Sequence, residues 1–394
     1  MISPNPFEDT FDVAIIGGGL IGSAAAFELA GRNLRVVVLD RQLPGRESSW
    51  AAAGMLAPGP DAPGSHGSTK MVPLAKESLR LYPQFVAAIE EASGKHAGFA
   101  REGTLEIFHG ASGEAARDNF VAEHRRLGLS AEPIRLEAAR GMEPSLNSEA
   151  GAAAWLPDEA TVDPRALVDA VLAAAANRGA QTRAGCAATS LLLEGDRCAG
   201  VVAGGQRISA GHVVITAGCF SGAMEDGIAR HAPTRPVRGQ MISLRHREVR
   251  LTRVLRSASG YLVPRLDGRI LAGSTLEDAG FAKNVTPAGL QKILSAALEL
   301  APALADAEIL ETWSGLRPGT PDDLPILGPT DTDGLIVATG HYRNGVLLAP
   351  ITAKLVREWI VDGKVSVDVE AFSPLRLQDR EARSASAKIN SARP

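Results

Sequence analysis

The 394-residue sequence predicts an α/β fold in two parts: a parallel-stranded domain that is discontinuous along the chain, and a second α+β domain built on a mostly antiparallel sheet. Three observations predict it. Strand, glycine turn, helix and second strand follow one another over residues 11–39, the order of a βαβ unit. A similar strand–glycine–helix pattern recurs at 335–360 and reads as the chain returning to the first domain. Between them, residues 238–245, 261–264 and 269–273 read as strands of a separate antiparallel sheet.

Each element has a local reason. Residues 11–16 are an apolar run ending at three glycines, as in a buried strand. Residues 20–30 are small and apolar on most faces, as in a buried helix, and 34–39 (LRVVVL) are β-branched enough for a second strand. The Pro-, Gly- and Ala-rich stretch 58–67 reads as a loop. Residues 76–91 carry Leu79, Phe85, Val86 and Ile89 at helical spacing, 103–108 alternate like a strand, and 114–127 are amphipathic. The Ala-rich run 164–178 is a helix, with Asp163 before Pro164 as its cap. Short strands are expected at 189–193, 200–203 and 213–216, a helix at 286–300, a buried strand at 335–339 and a helix at 346–361. Residues 373–394 turn polar and basic and read as a poorly ordered tail. No internal repeat with a period of 20–50 residues is visible.

Composition excludes several classes. Lys plus Arg number 41 and Asp plus Glu 45, a formal charge of −4, whereas a general nucleic-acid binder needs a basic excess. With 45% hydrophobic and 22% charged residues the chain can build a sizeable core and is not intrinsically disordered. Three cysteines make no disulfide framework and suit a reducing, cytoplasmic setting. The first ten residues carry Glu8 and Asp9 but no Lys or Arg, unlike a signal peptide. The apolar stretch 13–30 is broken by four glycines and by Glu28, so no transmembrane span and no stable membrane association are expected. Arg376, Arg380, Arg383 and Lys388 offer only a weak electrostatic anchor.

The strongest local signal is Gly17-Gly18-Gly19-Leu20-Ile21-Gly22, a G-x-G-x-x-G run after a strand and before a helix. Gly17 permits the tight turn, Gly19 lets a pyrophosphate approach the backbone, and Gly22 lets helix and strand pack closely. The helix N-terminus, at Leu20 and Ile21, presents free N–H groups to the phosphates. Asp40, 18 positions after the last glycine, ends the second strand where a carboxylate binds ribose hydroxyls, and Arg41 follows it. A glycine-rich turn without a ligand is the competing reading. The motif alone does not separate FAD from NAD, while the acid disfavours a 2′-phosphate and hence NADP.

Five further stretches carry a resemblance that spans 11–362: 45–58 (GRESSWAAAGMLAP), 160–165 (ATVDPR), 235–241 (RPVRGQM), 313–328 (WSGLRPGTPDDLPILG) and 340–350 (GHYRNGVLLAP). Together they resemble the FAD-dependent amine oxidases of the D-amino-acid oxidase type, and within them the glycine oxidase family of bacterial thiamine biosynthesis. The resemblance implies a Rossmann-like FAD-binding domain over 11–85, 150–222 and 322–372, and a substrate domain over 86–149 and 223–321. It places non-covalent FAD against Ser48, Ser49, Ala52, Ala53, Gly54 and Met55, with the adenine read at Ala188. Ala217 and Gly218 close over the cofactor, and the segment Arg343, Asn344, Gly345, Val346, Leu347 and Leu348 lies near the pyrimidine end of the ring. Val346 opens a helix whose dipole favours negative charge there.

The resemblance also assigns the substrate residues. Arg317 is the carboxylate clamp, Tyr261 places its hydroxyl on the same carboxylate, and Arg343 is a second arginine near the pocket. A planar guanidinium suits such a clamp because it donates two parallel hydrogen bonds. The setting of Arg317 reads as a Gly/Pro-rich loop (GLRPGT), where functional residues often lie. Leu276 matches a pocket-wall position that is often methionine in the relatives. The implied reaction is oxidative deamination of glycine, with sarcosine and small D-amino acids as secondary substrates. The neutral amine gives its α-hydrogen as hydride to flavin N5, oxygen is reduced to hydrogen peroxide, and the imine hydrolyses to glyoxylate and ammonia. No protein base is needed, so His341 reads as packing or cofactor contact. Cys219 differs in position from the cysteine of covalently flavinylated sarcosine oxidases, and Cys186, Cys198 and the eight histidines show no metal-ligand spacing, so no metal is expected. A homo-oligomer is expected from the relatives. The alternatives are a sarcosine or D-amino-acid oxidase, a quinone-linked D-amino-acid dehydrogenase, or a flavin-binding subunit without turnover.

Overall fold

Among the described residues, two eight-stranded sheets organise the fold. The computed structural model describes residues 9–60 and 69–377. The extreme N-terminus, most of the loop expected at 58–67 and residues 378–394 of the expected tail lie outside the described residues.

The first sheet runs Ile326–Pro329, Leu335–Thr339, Gln206–Ile215, Asp9–Ile16, Val36–Leu39 and Gln181–Arg183, with the hairpin Ala188–Glu194/Arg197–Ala203 added on Gln206–Ile215. Its central pairings are parallel, with Val13 facing Val36 on one side and His212 on the other. This is the Rossmann-like arrangement, and strands buried on both faces explain why 36–39 reads as an unbroken apolar run. Helix Leu20–Ala30 packs on one face together with Pro164–Asn177, Val72–Ser93 and Gly345–Arg357 in one continuous core. Asp163 caps its helix as expected, its carboxylate accepting from the Arg165 and Ala166 N–H groups at 3.0 and 3.3 Å.

The second sheet runs Glu308–Gly319, Arg235–Arg245, Ile270–Gly273, Tyr261–Pro264, Val254–Arg256, Thr104–Phe108, Ala152–Leu156 and Glu132–Ile134. Every pairing is antiparallel except Val254–Arg256 with Thr104–Phe108. Helix Pro287–Leu300 covers one face through Ile293, Ala297 and Leu300.

Four features depart from the expectations. Arg317 does not lie in a loop: Glu308–Gly319 is a 12-residue strand paired along its length with Arg235–Arg245. Gly315, Pro318 and Gly319 look like breakers in isolation, yet Gly315 pairs with Gly239 and Pro318 with Pro236, so long-range pairing overrides local propensity. Strand Ala152–Leu156 pairs with Thr104–Phe108 in the antiparallel sheet although it follows the boundary expected at 150. Helix Val72–Ser93 runs unbroken across the boundary expected at 85, and its buried face stays in the first core. The first residues of the expected tail are packed, with Leu377 buried and Arg376 paired to Asp322 at 3.0 Å.

Candidate active site

A cavity of about 520 Å³ opens where the two sheets meet, and both contribute to its wall. The parallel sheet supplies Gly17, Gly19, Leu20 and Ile21 of the glycine turn, Asp40 and Arg41 after the second strand, Ala188, and Ala217 and Gly218. The segment between supplies Ser48, Ser49, Ala52, Ala53, Gly54 and Met55. Tyr261 and Arg317 come from the antiparallel sheet, and Arg343, Gly345 and Val346 from the start of the last long helix. Residues that sequence reasoning did not mark also line it, among them Thr216, Gly239, Met241, Ser274, Thr339 and Tyr342.

Some expected contacts are not on the wall. Gly22, Asn344, Leu347 and Leu348 are absent from the lining. Gly22 lies in the first turn of its helix, where a Cβ would sit 2.0 Å from the Gly17 carbonyl oxygen, so its role is close helix–strand packing. Asn344 precedes the helix as its N-cap, and the Leu347 and Leu348 side chains belong to the core. Leu276 is 48% exposed and is absent from the lining, although the chain stays paired to strand Arg235–Arg245 one residue further on, at Glu277.

The glycine turn is built for an anion. Gly17 has φ of 107°, and a Cβ there would lie 2.8 Å from the Thr216 and Ala217 backbone. Helix Leu20–Ala30 starts at Gly19 with no side-chain cap from the N-cap residue itself. The Leu20 N–H instead meets the Ser49 hydroxyl at 3.0 Å, from a neighbouring segment that also faces the cavity. The Asp40 carboxylate accepts from Gly18 N–H at 2.8 Å and from Gln42 N–H at 3.0 Å, which ties the strand end to the turn. The Arg41 guanidinium lies 3.4 Å over the Phe220 ring, Phe281 stacks behind it at 5.1 Å, and Lys283 pairs with Glu47 at 2.6 Å.

Segment 48–55 is held by two of its carbonyls and by the Ser48 hydroxyl. The Trp313 indole donates to Ala51 O at 3.1 Å, Arg265 donates to Ala53 O at 2.5 Å, and the Ser48 hydroxyl donates to Leu316 O. Arg165 stacks 3.4 Å over Trp50 and pairs with Glu311 at 2.9 Å. These contacts fix the small residues of this segment at the cavity wall.

The antiparallel part presents cations. Arg317 donates from Nη1 to Thr275 O at 3.1 Å and from Nη2 to Ser274 Oγ at 2.7 Å. Its guanidinium lies on Gly239, where a Cβ would come within 2.2 Å of Nη1. Burial holds its pKa below the usual arginine value; the electrostatic influence of nearby Tyr261 opposes that shift, and the charge of Arg343 adds to it. Arginine nevertheless remains charged at neutral pH. Tyr342 has φ of 49°, uncommon for a bulky residue, and its N–H donates to Pro318 O at 3.1 Å. Helix Val72–Ser93 braces the second helix start: the Tyr82 hydroxyl donates to Val346 O at 3.0 Å and the Ser78 hydroxyl to Leu347 O at 2.6 Å.

His341 lines the cavity but is 3% exposed, with Nε2 3.0 Å from the Thr352 hydroxyl. Burial pushes its pKa down to about 3, so it is neutral in the folded protein at ordinary pH. The unfolded chain binds a proton near 6.5 that the folded chain refuses until about 3, so the stability contributed by neutral His341 is complete above pH 6.5 and lost as pH falls through that window. His341→Gln is expected to flatten the pH dependence of stability there by about 1.4 kcal/mol per pH unit. Urea midpoints at pH 7 and pH 5 measure it; equal pH slopes in parent and variant would contradict the assignment. Cys219 is buried off the cavity wall, and burial pushes its thiol up to about 12, which suits a non-covalent cofactor.

A phosphate-binding turn, an acid at the next strand end and a cavity shared with a second, cation-bearing sheet define a dinucleotide-binding α/β protein. The chain belongs to the DAO family of FAD dependent oxidoreductases, whose pattern matches residues 12–359. It is 37% identical over 379 residues to the bifunctional protein ThiO/ThiG of Synechocystis sp., covering 94% of this chain and 54% of that protein. The chain thus spans about half the length of these ThiO/ThiG relatives. It is 33% identical to the glycine oxidase of Pseudomonas putida, with 92% of this chain and 98% of the relative covered. The crystal structure of glycine oxidase from Geobacillus kaustophilus matches with a TM-score of 0.86 at 31% identity, covering 93% of this chain and 98% of that one.

Proposed function

We propose that this chain oxidatively deaminates glycine, with sarcosine and small D-amino acids as secondary substrates, in bacterial thiamine thiazole biosynthesis. The observation that carries the reading is Arg317, charged, seated on Gly239 and facing the same cavity as the glycine turn. The glycine oxidase and ThiO/ThiG relatives support it.

In this reading the Leu20 helix start holds the pyrophosphate, Asp40 the ribose, Ala188 the adenine, and segment 48–55 with Ala217 and Gly218 the rest of the cofactor. Bound FAD supplies the two-electron acceptor that turns the substrate amine into an imine and reduces oxygen to hydrogen peroxide. Arg317 and Tyr261 hold the substrate carboxylate, which fixes the α-carbon in one orientation. Arg343 adds positive potential, and the helix start at Gly345 and Val346 favours negative charge beside it. The buried, neutral His341 transfers no proton in this scheme, and water completes hydrolysis to glyoxylate and ammonia. A cytoplasmic homo-oligomer is proposed as its state. Among the described residues no helix is long and apolar enough to cross a membrane.

The test is direct. The purified protein is expected to be yellow, and glycine in air should yield hydrogen peroxide and glyoxylate together. Flavin bleaching by glycine under nitrogen with little peroxide in air would replace the oxidase by a dehydrogenase. A flavin spectrum that no amine bleaches would leave only a flavin-binding subunit.

A further inference from the structure

We infer that Ser274 is a third carboxylate-binding group, acting as a pair with Arg317; the inference rests on the amino-acid oxidase reading above. Ser274 follows strand Ile270–Gly273 and lines the cavity. Its Oγ accepts from Arg317 Nη2 at 2.7 Å, and among the described residues its hydroxyl makes no other hydrogen bond. A hydroxyl that has accepted from a cation still carries one proton to donate. That proton is polarised by the guanidinium and has only the cavity to donate into, beside the remaining N–H groups of Arg317.

The surroundings hold the pair in place. The next residue, Thr275, is buried, gives its carbonyl to Arg317 Nη1 at 3.1 Å and takes the Gln240 N–H on its hydroxyl at 2.9 Å. Gln240 is fully buried and sits in the strand facing Arg317's own. The guanidinium therefore has Thr275 and Ser274 as partners and Gly239 behind it, and it cannot retreat from Ser274 without breaking the Thr275 contact. A substrate carboxylate in this corner receives hydrogen bonds from Arg317 and from Ser274. A neutral ligand of the same size gains little there, because both groups favour an anion.

The test uses the FAD-loaded protein and two readouts. Glycolate, which has a carboxylate but no oxidisable amine, is titrated by its perturbation of the flavin absorbance, and glycine kinetics are measured in parallel. Ser274→Ala is expected to raise the glycolate Kd and the glycine KM together by about tenfold, the loss of one charge-assisted hydrogen bond. kcat should stay within about twofold, as for an interaction made equally in the ground and transition states. Ser274→Thr, which keeps the hydroxyl, should restore most of the affinity. Ser274→Ala with parent-like Kd and KM overturns the inference, and so does a loss that appears in kcat alone or is not rescued by Thr. A parent protein that neither binds glycolate nor oxidises glycine refutes the amino-acid oxidase reading instead, before any variant is made.

Discussion

Arg317→Ala is expected to lower kcat/KM for glycine by roughly 30- to 5,000-fold, the range for removing a buried hydrogen-bonded charge partner at about 2–5 kcal/mol. Most of the loss should enter through KM, because the guanidinium binds the carboxylate in substrate and transition state alike. A smaller loss in kcat should accompany it, since a substrate held at one end less firmly presents its α-carbon in more orientations. The variant should remain yellow, because Arg317 sits on the antiparallel sheet while the dinucleotide turn belongs to the parallel one. Arg317→Lys should fall between parent and Ala: it keeps the charge but not the planar fork that spans Thr275 O and Ser274 Oγ. Near-parent turnover of Arg317→Ala at low glycine would remove the clamp.

Gly22→Val is expected to give colourless protein. A Cβ at Gly22 would stand 2.0 Å from the Gly17 carbonyl oxygen, 2.6 Å from the Thr216 hydroxyl and 3.1 Å from Ile15. The first contact is with the backbone of the phosphate turn, so relief has to come from moving that turn. Overpacking of this kind costs about 1–3 kcal/mol of stability, and the displaced N–H groups lose the pyrophosphate as well. Gly19→Val separates the two effects. A Cβ there meets only the Ser49 hydroxyl, at 3.3 Å, so the fold should survive while phosphate approach is blocked. The ratio of flavin to protein absorbance and the melting temperature with added FAD measure both. Full flavin content in Gly22→Val would show that the helix shifts without disturbing the turn.

The elements legible in the sequence are those whose cause is local. The glycine turn reads directly because φ of 107° at Gly17 and the contact at Gly22 admit almost nothing else. The cap at Asp163 and the buried runs at 36–39 and 335–339 read for the same kind of reason, a side chain answering its nearest backbone or a strand buried on both faces. The marks at Arg317, Tyr261 and Arg343 came from resemblance; composition and spacing alone would have left Arg317 among many arginines.

What the tertiary structure alone decided is where distant segments meet. Strand Glu308–Gly319 exists because Arg235–Arg245 lies beside it; its Gly315, a breaker in isolation, gives room to Ala51, and Gly239 of the facing strand gives room to Arg317. Ser274 carries no signal in its neighbours; it gains one only from an arginine 43 positions away. Ala152–Leu156 joins the antiparallel sheet through pairing with residues about 48 positions earlier, which no local pattern encodes. The physical reason is the same throughout: backbone conformation and burial leave a periodic trace in sequence, whereas a side chain's partner across the fold leaves none.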